Sequence, residues 1–333
     1  MAETQTLSLS KAANAALRVA MESDDRVFLA GEDIGVYGGA FGVTDGLLDE
    51  FGESRVRDTP ISEEALTGMA VGAAISGLRP VIEYQFSDFI VNAMDPLVNQ
   101  AAKLHFMYGG HTNVPMVARA PAGGGTGAAE QHSQSLEAWF AHIPGLKVVM
   151  PGTAQDYHDL LLASISDANP VIHFEHKGMY KQQGEVAVRE SIADTPARLG
   201  EAAVRRTGTD VTIVSYSMIL GRAMEAADAL AERGVSAEVI DLRTLRPLDR
   251  ETVVSSVRKT GRLVISHESP TSVGVGAEVA ASVAGSDALD YLLAPIARVC
   301  GRENPMPYAP ALEEATIPQA SDIEKAAAEV VES

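Results

Sequence analysis

Ala65–Leu78 carry no charged side chain, yet the stretch includes Gly68 and Gly72. Each glycine costs about 1 kcal/mol relative to alanine in a helix interior. A helix that is apolar on every side must be buried on every side, and glycines four residues apart let another backbone come close. Immediately before it runs Asp58-Thr59-Pro60-Ile61-Ser62-Glu63-Glu64. Pro60 and Ser62 read as a helix start with Ser62 as the N-cap, and acids in the first turn gain roughly 0.3–1 kcal/mol from the helix dipole. Position 65 is alanine, so neither acid belongs to a capping box. Two readings are open for Glu63 and Glu64. They complement the dipole at the surface, or a carboxylate is delivered into an interior, where its pKa and role become functional questions.

The rest of the chain alternates short apolar runs with amphipathic helices. Helices are expected over Leu9–Met21, about Val91–Tyr108, Ser135–His142 and Gln155–Ser166. Strands are expected over Arg26–Gly31, Pro80–Tyr84, Val114–Ala120, Lys147–Pro151 and Val171–Glu175. Strands separated by helices predict a parallel, helix-covered sheet, with ligands at the carboxyl ends of the strands. Residues 176–209 lack periodicity and read as a linker. A second α/β run follows, with strands at Val211–Ser215, Ala237–Leu242, Arg262–His267 and Ile296–Cys300 and a helix over Ile219–Arg233. The expected division is therefore 1–175, a linker at 176–209, and 210–333.

The 26 basic residues against 45 acidic ones give a formal net charge of −19, which argues against nucleic acid or an anionic membrane as partner. Cys300 is the single cysteine; it excludes an internal disulfide and a cysteine-based zinc site, and a reducing cytoplasm is the expected location. The N-terminus lacks the basic and apolar regions of a signal peptide, and no apolar run approaches the ~20 residues of a membrane span.

Gly123-Gly124-Gly125-Thr126-Gly127 has two readings, a phosphate or dinucleotide cradle or a mobile loop able to gate a site. His132 follows it in Glu130-Gln131-His132-Ser133-Gln134. It is either a solvated loop histidine or an acid–base residue beside that loop. No nucleophile elbow, His-Glu-x-x-His or Walker loop anchors a hydrolase or phosphotransferase reading.

Gly31-Glu32-Asp33, Asp58–Glu63, Gly77-Leu78-Arg79-Pro80, Gln131–Gln134, Pro144–Val149 and Val239–Asp249 occur in this order along nearly the whole chain. Taken together they resemble the β subunit of thiamine-diphosphate-dependent 2-oxo acid dehydrogenases. The resemblance implies an α/β fold, a parallel-sheet pyrimidine-binding domain followed by a transketolase C-terminal-type domain. It implies that Glu63 is the carboxylate at the aminopyrimidine ring nitrogen. Phe89 would pack on the pyrimidine, with Gln85 and Phe86 along the same wall and Glu32 near the inner end of the cofactor. His132 would be a proton donor near the reacting centre or a guide for the lipoyl group. Met116, Ser164 and Ile165, through their carbonyls, with Asp167 and Asn169 would form a structural monovalent-cation site, for potassium.

The Gly-Asp-Gly…Asn pattern that holds magnesium and the diphosphate in the superfamily is absent. The resemblance therefore implies an α subunit carrying Mg2+ and the diphosphate, in an α2β2 heterotetramer that serves a lipoyl-bearing acyltransferase core. The Ala65–Leu78 helix would pack on a partner chain. Pyruvate is the expected substrate, with acetoin and branched-chain 2-oxo acids as alternatives. An inactive scaffold subunit and a self-sufficient transketolase-like homodimer are further readings.

Overall fold

The computed structural model describes residues 4–333, which fall into two compact units. The first takes the residues up to Ala122 together with Trp139–Leu199, and the second takes Gly123–Ala138 and Gly200–Ser333.

In the first unit, β1 (Thr4–Ser8) leads into α1 (Leu9–Ser23), followed by β2 (Val27–Gly31), α2 (Leu47–Phe51), β3 (Val56–Asp58), α3 (Glu63–Ile75) and β4 (Arg79–Glu83). Then come α4 (Ala102–Met107), β5 (Val117–Ala122), α5 (Glu137–Ala141), whose first two residues belong to the second unit, β6 (Lys147–Val149), α6 (Ala154–Ser166), β7 (Val171–His176) and β8 (Gln183–Ala187). Strands β6, β7, β5, β4, β2 and β3 lie side by side in that order, each pair parallel. Strands β2, β5 and β7 are buried along their whole length, as expected of a sheet covered on both faces. Ser8 caps α1 by accepting from the Lys11 amide, and α1 packs on α6. The helix expected over Val91–Tyr108 is less regular. A 3-10 segment covers Ser87–Ala93 and a π-helical one Asp95–Ala101 before α4. Pro96 at the start of the π-helical segment lacks an N–H and displaces the ordinary ladder.

The second unit contains β9 (Ala203–Arg206), β10 (Val211–Ser215), α7 (Met218–Glu232), β11 (Ala237–Asp241), β12 (Thr244–Arg246) and α8 (Arg250–Thr260). It continues with β13 (Leu263–Pro270), α9 (Val275–Ala284), β14 (Ala297–Gly301), α10 (Pro310–Thr316) and α11 (Ala320–Glu332). Its sheet runs β14-β13-β10-β11-β9, with β9 antiparallel at one edge. Val211, Ile213, Ile219, Leu230, Val239 and Ile323 belong to its apolar core.

Residues 176–209 are not a structureless linker. β8 lies within them and pairs antiparallel with β1, and β9 joins the second sheet. Both are short, largely polar edge strands, whose backbone pairing needs no apolar alternation.

Candidate active site

Three adjacent strands of the first unit, β3, β2 and β4, end where the expected cofactor-binding residues begin. Register pairs Gly31 with Asp58 on one side and with Glu83 on the other. Glu32 therefore leaves the end of β2, Gln85 and Phe86 leave the end of β4, and Asp58 leads through Pro60 to Glu63. A Cβ on Gly31 would stand 2.7 Å from the Glu83 carbonyl oxygen, so only glycine lets these strand ends close up. The Gly35 amide donates to Asp58 Oδ1 at 2.6 Å and ties the loop after β2 to the end of β3.

Glu63 opens α3 and is 7% exposed, whereas Glu64 faces outward. One residue, about 100° round the helix, places the two acids on different sides. Ser62 stands at the N-cap but makes no side-chain capping bond, because its backbone (φ −164°, ψ 81°) departs from the capping conformation that Ser8 adopts. Among the described residues, the hydrogen bond found at the Glu63 carboxylate is a long one, from Asn92 Nδ2 at 3.4 Å. Thr67, one turn on, donates to the Glu63 carbonyl at 2.6 Å and meets the Tyr84 hydroxyl at 2.5 Å. A buried carboxylate with so few donors is costly unless a ligand supplies one. Phe86 and Phe89 meet edge to face at 6.0 Å, and Phe41 joins them 5.8 Å from Phe86. Gln85 donates to Asp33 Oδ2 at 3.1 Å.

Glu32 is buried, and burial, with the Glu63 and Asp33 charges beside it, raises its carboxyl above the usual range. Such a group holds its proton more tightly in the folded chain than in the unfolded one. The stability it contributes is present while it is protonated and is lost as pH rises from the unfolded pKa through the folded one. Glu32→Gln should therefore raise the melting temperature of the ligand-free chain at about pH 7, with the gain vanishing toward about pH 3, below the ordinary glutamate range. Melting curves across that range check it, and a variant that gains nothing at neutral pH would remove the charge cost assigned to Glu32.

Beneath the site lies a cluster that the sequence reading missed. Register sets Glu83 opposite Arg119 and Pro121 opposite Glu175. Arg119, 1% exposed, donates through Nε and Nη2 to the two Glu175 oxygens at 2.7 Å each and pairs with Glu83 through Nη1. Tyr180 donates to Glu175 Oε2 at 2.8 Å. Burial raises the Glu83 carboxyl. Burial acts on Glu175 too, but the Arg119 charge and its hydrogen bonds outweigh it and hold that carboxyl low. The one signal in the sequence was an arginine inside an otherwise apolar strand.

The expected cation set lies at the end of α6. Arg79 Nη1 donates to the carbonyls of Ile165 (2.7 Å) and Asp167 (3.1 Å), the Asp167 amide to Ser164 O (3.3 Å), and the Val171 amide to Met116 O (2.9 Å). Asp167 pairs with Lys147, and its Oδ1 accepts from the Asn169 amide and Nδ2 at 2.8 and 2.9 Å. The oxygens at this helix C-terminus thus draw positive charge, and each carbonyl keeps a second lone pair.

His132 belongs to the second unit, on Gly123–Ala138, and is half-buried. Its amide donates to Ala129 O at 3.4 Å, beyond a residue held at φ 62°. The glycine loop before it is not an open phosphate cradle. The Gly124 amide donates to Glu268 Oε1 at 2.5 Å, and the Gly125 and Gly127 amides donate to Glu313, so carboxylates of this chain fill the place an anion would take.

Residues 5–183 match the transketolase pyrimidine binding domain and residues 200–323 the transketolase C-terminal domain. A rice mitochondrial protein named pyruvate dehydrogenase E1 component subunit beta-2 is 45% identical over 98% of this chain and 86% of its own length. This chain belongs to the pyruvate dehydrogenase E1 β-subunit family. Another E1 β subunit, from Saccharomyces cerevisiae, is 44% identical over 98% of this chain and 90% of its own, and one from Rhizobium meliloti is 44% identical over 96% and 69%. The fold is shared with an inactive β4 tetramer of a split-gene transketolase, at TM-score 0.76, 21% identity and 98% coverage of both chains. The expected α/β pyrimidine-binding and C-terminal pair is thus confirmed, and the relatives that share it are named as β subunits of a pyruvate dehydrogenase E1 component. Among the described residues no helix is long and apolar enough to cross a membrane.

Proposed function

We propose that this chain is the β subunit of the decarboxylating component of a 2-oxo acid dehydrogenase complex, acts on pyruvate, and is active only when joined to an α subunit as an α2β2 heterotetramer. The observation that carries this reading is the buried, donor-poor Glu63 carboxylate at the carboxyl ends of the pyrimidine-domain strands. Thiamine diphosphate, when bound, supplies the electron sink for decarboxylation. Glu63 would hold a proton at the pyrimidine ring nitrogen, Phe89, Phe86 and Gln85 would line the ring's wall, and Glu32 would lie toward its inner end. His132 gives up a proton near the reacting centre or guides the lipoyl group of the acyltransferase core. The α subunit holds Mg2+ and the diphosphate. A potassium ion would be held by the Met116, Ser164 and Ile165 carbonyls with Asp167 and Asn169, beside Arg79, which donates to the Ile165 and Asp167 carbonyls.

The outer face of α3 supports the partner. Met69 and Ile75 are 41% and 48% exposed, and among the described residues a Cβ on Gly68 or Gly72 would meet nothing within 4 Å outside the helix's own backbone. The expectation of a helix buried on every side thus fails for the chain alone: one face packs on its own core, and the face with both glycines is open.

Co-expression with the α subunit of the same organism tests the reading. The expected product is a complex with equal numbers of both chains, containing thiamine diphosphate, magnesium and potassium, that decarboxylates pyruvate faster than acetoin or branched-chain 2-oxo acids are turned over. A homo-oligomer without thiamine diphosphate would overturn it, and a complex without potassium would remove the cation while leaving the rest.

A further inference from the structure

In the second unit, β10 lies between β11 and β13, so the chain leaves β10 toward one side and later returns to the other. That reversal is the switch point at which open α/β sheets usually hold a ligand, outside the carboxyl ends of the strands. The carboxyl ends here are Ser215-Tyr216 from β10 and His267-Glu268-Ser269 from β13. What they hold is the unit's own Gly123–Ala138 segment. Tyr216 donates to Glu137 Oε1 at 2.8 Å at one end of the segment, and Glu268 Oε1 accepts from the Gly124 amide at the other. Glu313, 4% exposed on α10, accepts from Gly125 at 2.7 Å through Oε1 and from Gly127 at 3.0 Å through Oε2.

The loop is shaped for this. Gly123, Gly125 and Gly127 have φ of 83°, 83° and 67°, left-handed backbone that glycine adopts without steric cost, and the turns they make aim the Gly124, Gly125 and Gly127 amides at carboxylates as an anion nest. The mount is rigid. His267 stacks on Tyr216 at 5.8 Å, contacts the Ser269 carbonyl through Nδ1 at 3.0 Å and accepts from the Gly276 amide at Nε2 at 3.2 Å. Burial lowers its pKa to about 4, so the ring is neutral, as accepting at Nε2 requires. A Cβ on Gly301 would stand 2.0 Å from the Glu268 carbonyl oxygen, so glycine there seats Glu268.

We infer that Glu313 and Glu268 are positioning residues, which fill an internal anion nest with carboxylate and thereby fix the backbone that carries His132. The second unit then acts as the mount for that histidine. This deepens the proposed function, and its catalytic part rests on the role given to His132.

Hydrogen exchange on the full chain reads the clamp directly. In the wild type the Gly124, Gly125 and Gly127 amides should exchange about 100-fold or more slowly than in an unfolded peptide. Exchange at the unfolded rate would overturn the clamp, and this measurement needs no variant. In Glu313→Gln the Gly125 and Gly127 amides should exchange about tenfold faster, with β10 and α7 unchanged, and Glu313→Asp should restore part of the protection. Unchanged exchange in a folded Glu313→Gln chain would overturn the assignment. In the assembled enzyme the same variant should lower kcat for lipoyl acylation with KM for the 2-oxo acid unchanged. A loosened loop with full activity would overturn the positioning role. If His132→Ala is itself fully active, the role given to His132 fails, while the exchange results still decide the clamp.

Discussion

Glu63→Gln in the assembled enzyme is expected to lower kcat about 100- to 10,000-fold, the range for removing a positioned proton-handling side chain. Glutamine preserves the shape of the side chain and can still accept a hydrogen bond. What it cannot do is carry the charge that holds a proton at a ring nitrogen. The fold should survive. Losing a charge at the first turn of α3 costs roughly 0.3–1 kcal/mol, and relief of a buried carboxylate beside Glu32 offsets it. The melting temperature should therefore stay within a few degrees of wild type while activity collapses. A variant within threefold of wild-type kcat would remove Glu63 from the chemistry.

The largest effect on stability is expected at Arg119. Arg119→Met leaves Glu83 and Glu175 facing each other in a dry interior, and breaking a buried pair in this way costs about 3–5 kcal/mol. For a unit the size of the first, about 180 residues, that corresponds to a fall of about 10 °C in melting temperature. Adding Glu175→Gln should recover part of the loss, because the damage comes from stranded charge and not from the missing side chain alone. A single variant that melts within 2 °C of wild type, on the order of 1 kcal/mol or less, would mean that the three groups contribute no net stability.

Where an element depends on its own residues, the sequence was enough. The buried strands are short apolar runs, so Val211–Ser215 was found where it lies, and the strand expected over Lys147–Pro151 begins where expected and ends two residues sooner, at Val149. Glu63 was marked by the contrast between an acidic first turn and the uncharged stretch behind it. Where an element depends on distant partners, reading failed. Thr4–Ser8 is polar and becomes a strand because Gln183–Ala187 pairs with it. The glycine loop gives no hint of the carboxylates that hold it, because Glu268 and Glu313 lie 144 and 188 residues further on. The Glu83–Arg119–Glu175 cluster depends on strand register, which periodicity within one strand does not fix.

The second unit is discontinuous in sequence, since Gly123–Ala138 belongs to it although the chain has not yet finished the first. A ribosome therefore releases this segment long before its acceptor exists, and the segment can dock only once Glu313, near the end of the chain, has been made. The same arrangement governs recombination. A chimera spliced near Gly200 from two relatives would unite one parent's His132 segment with the other parent's mount, and would inherit a mismatch that no contact at the splice reveals. A productive exchange has to move 123–138 together with everything after 200.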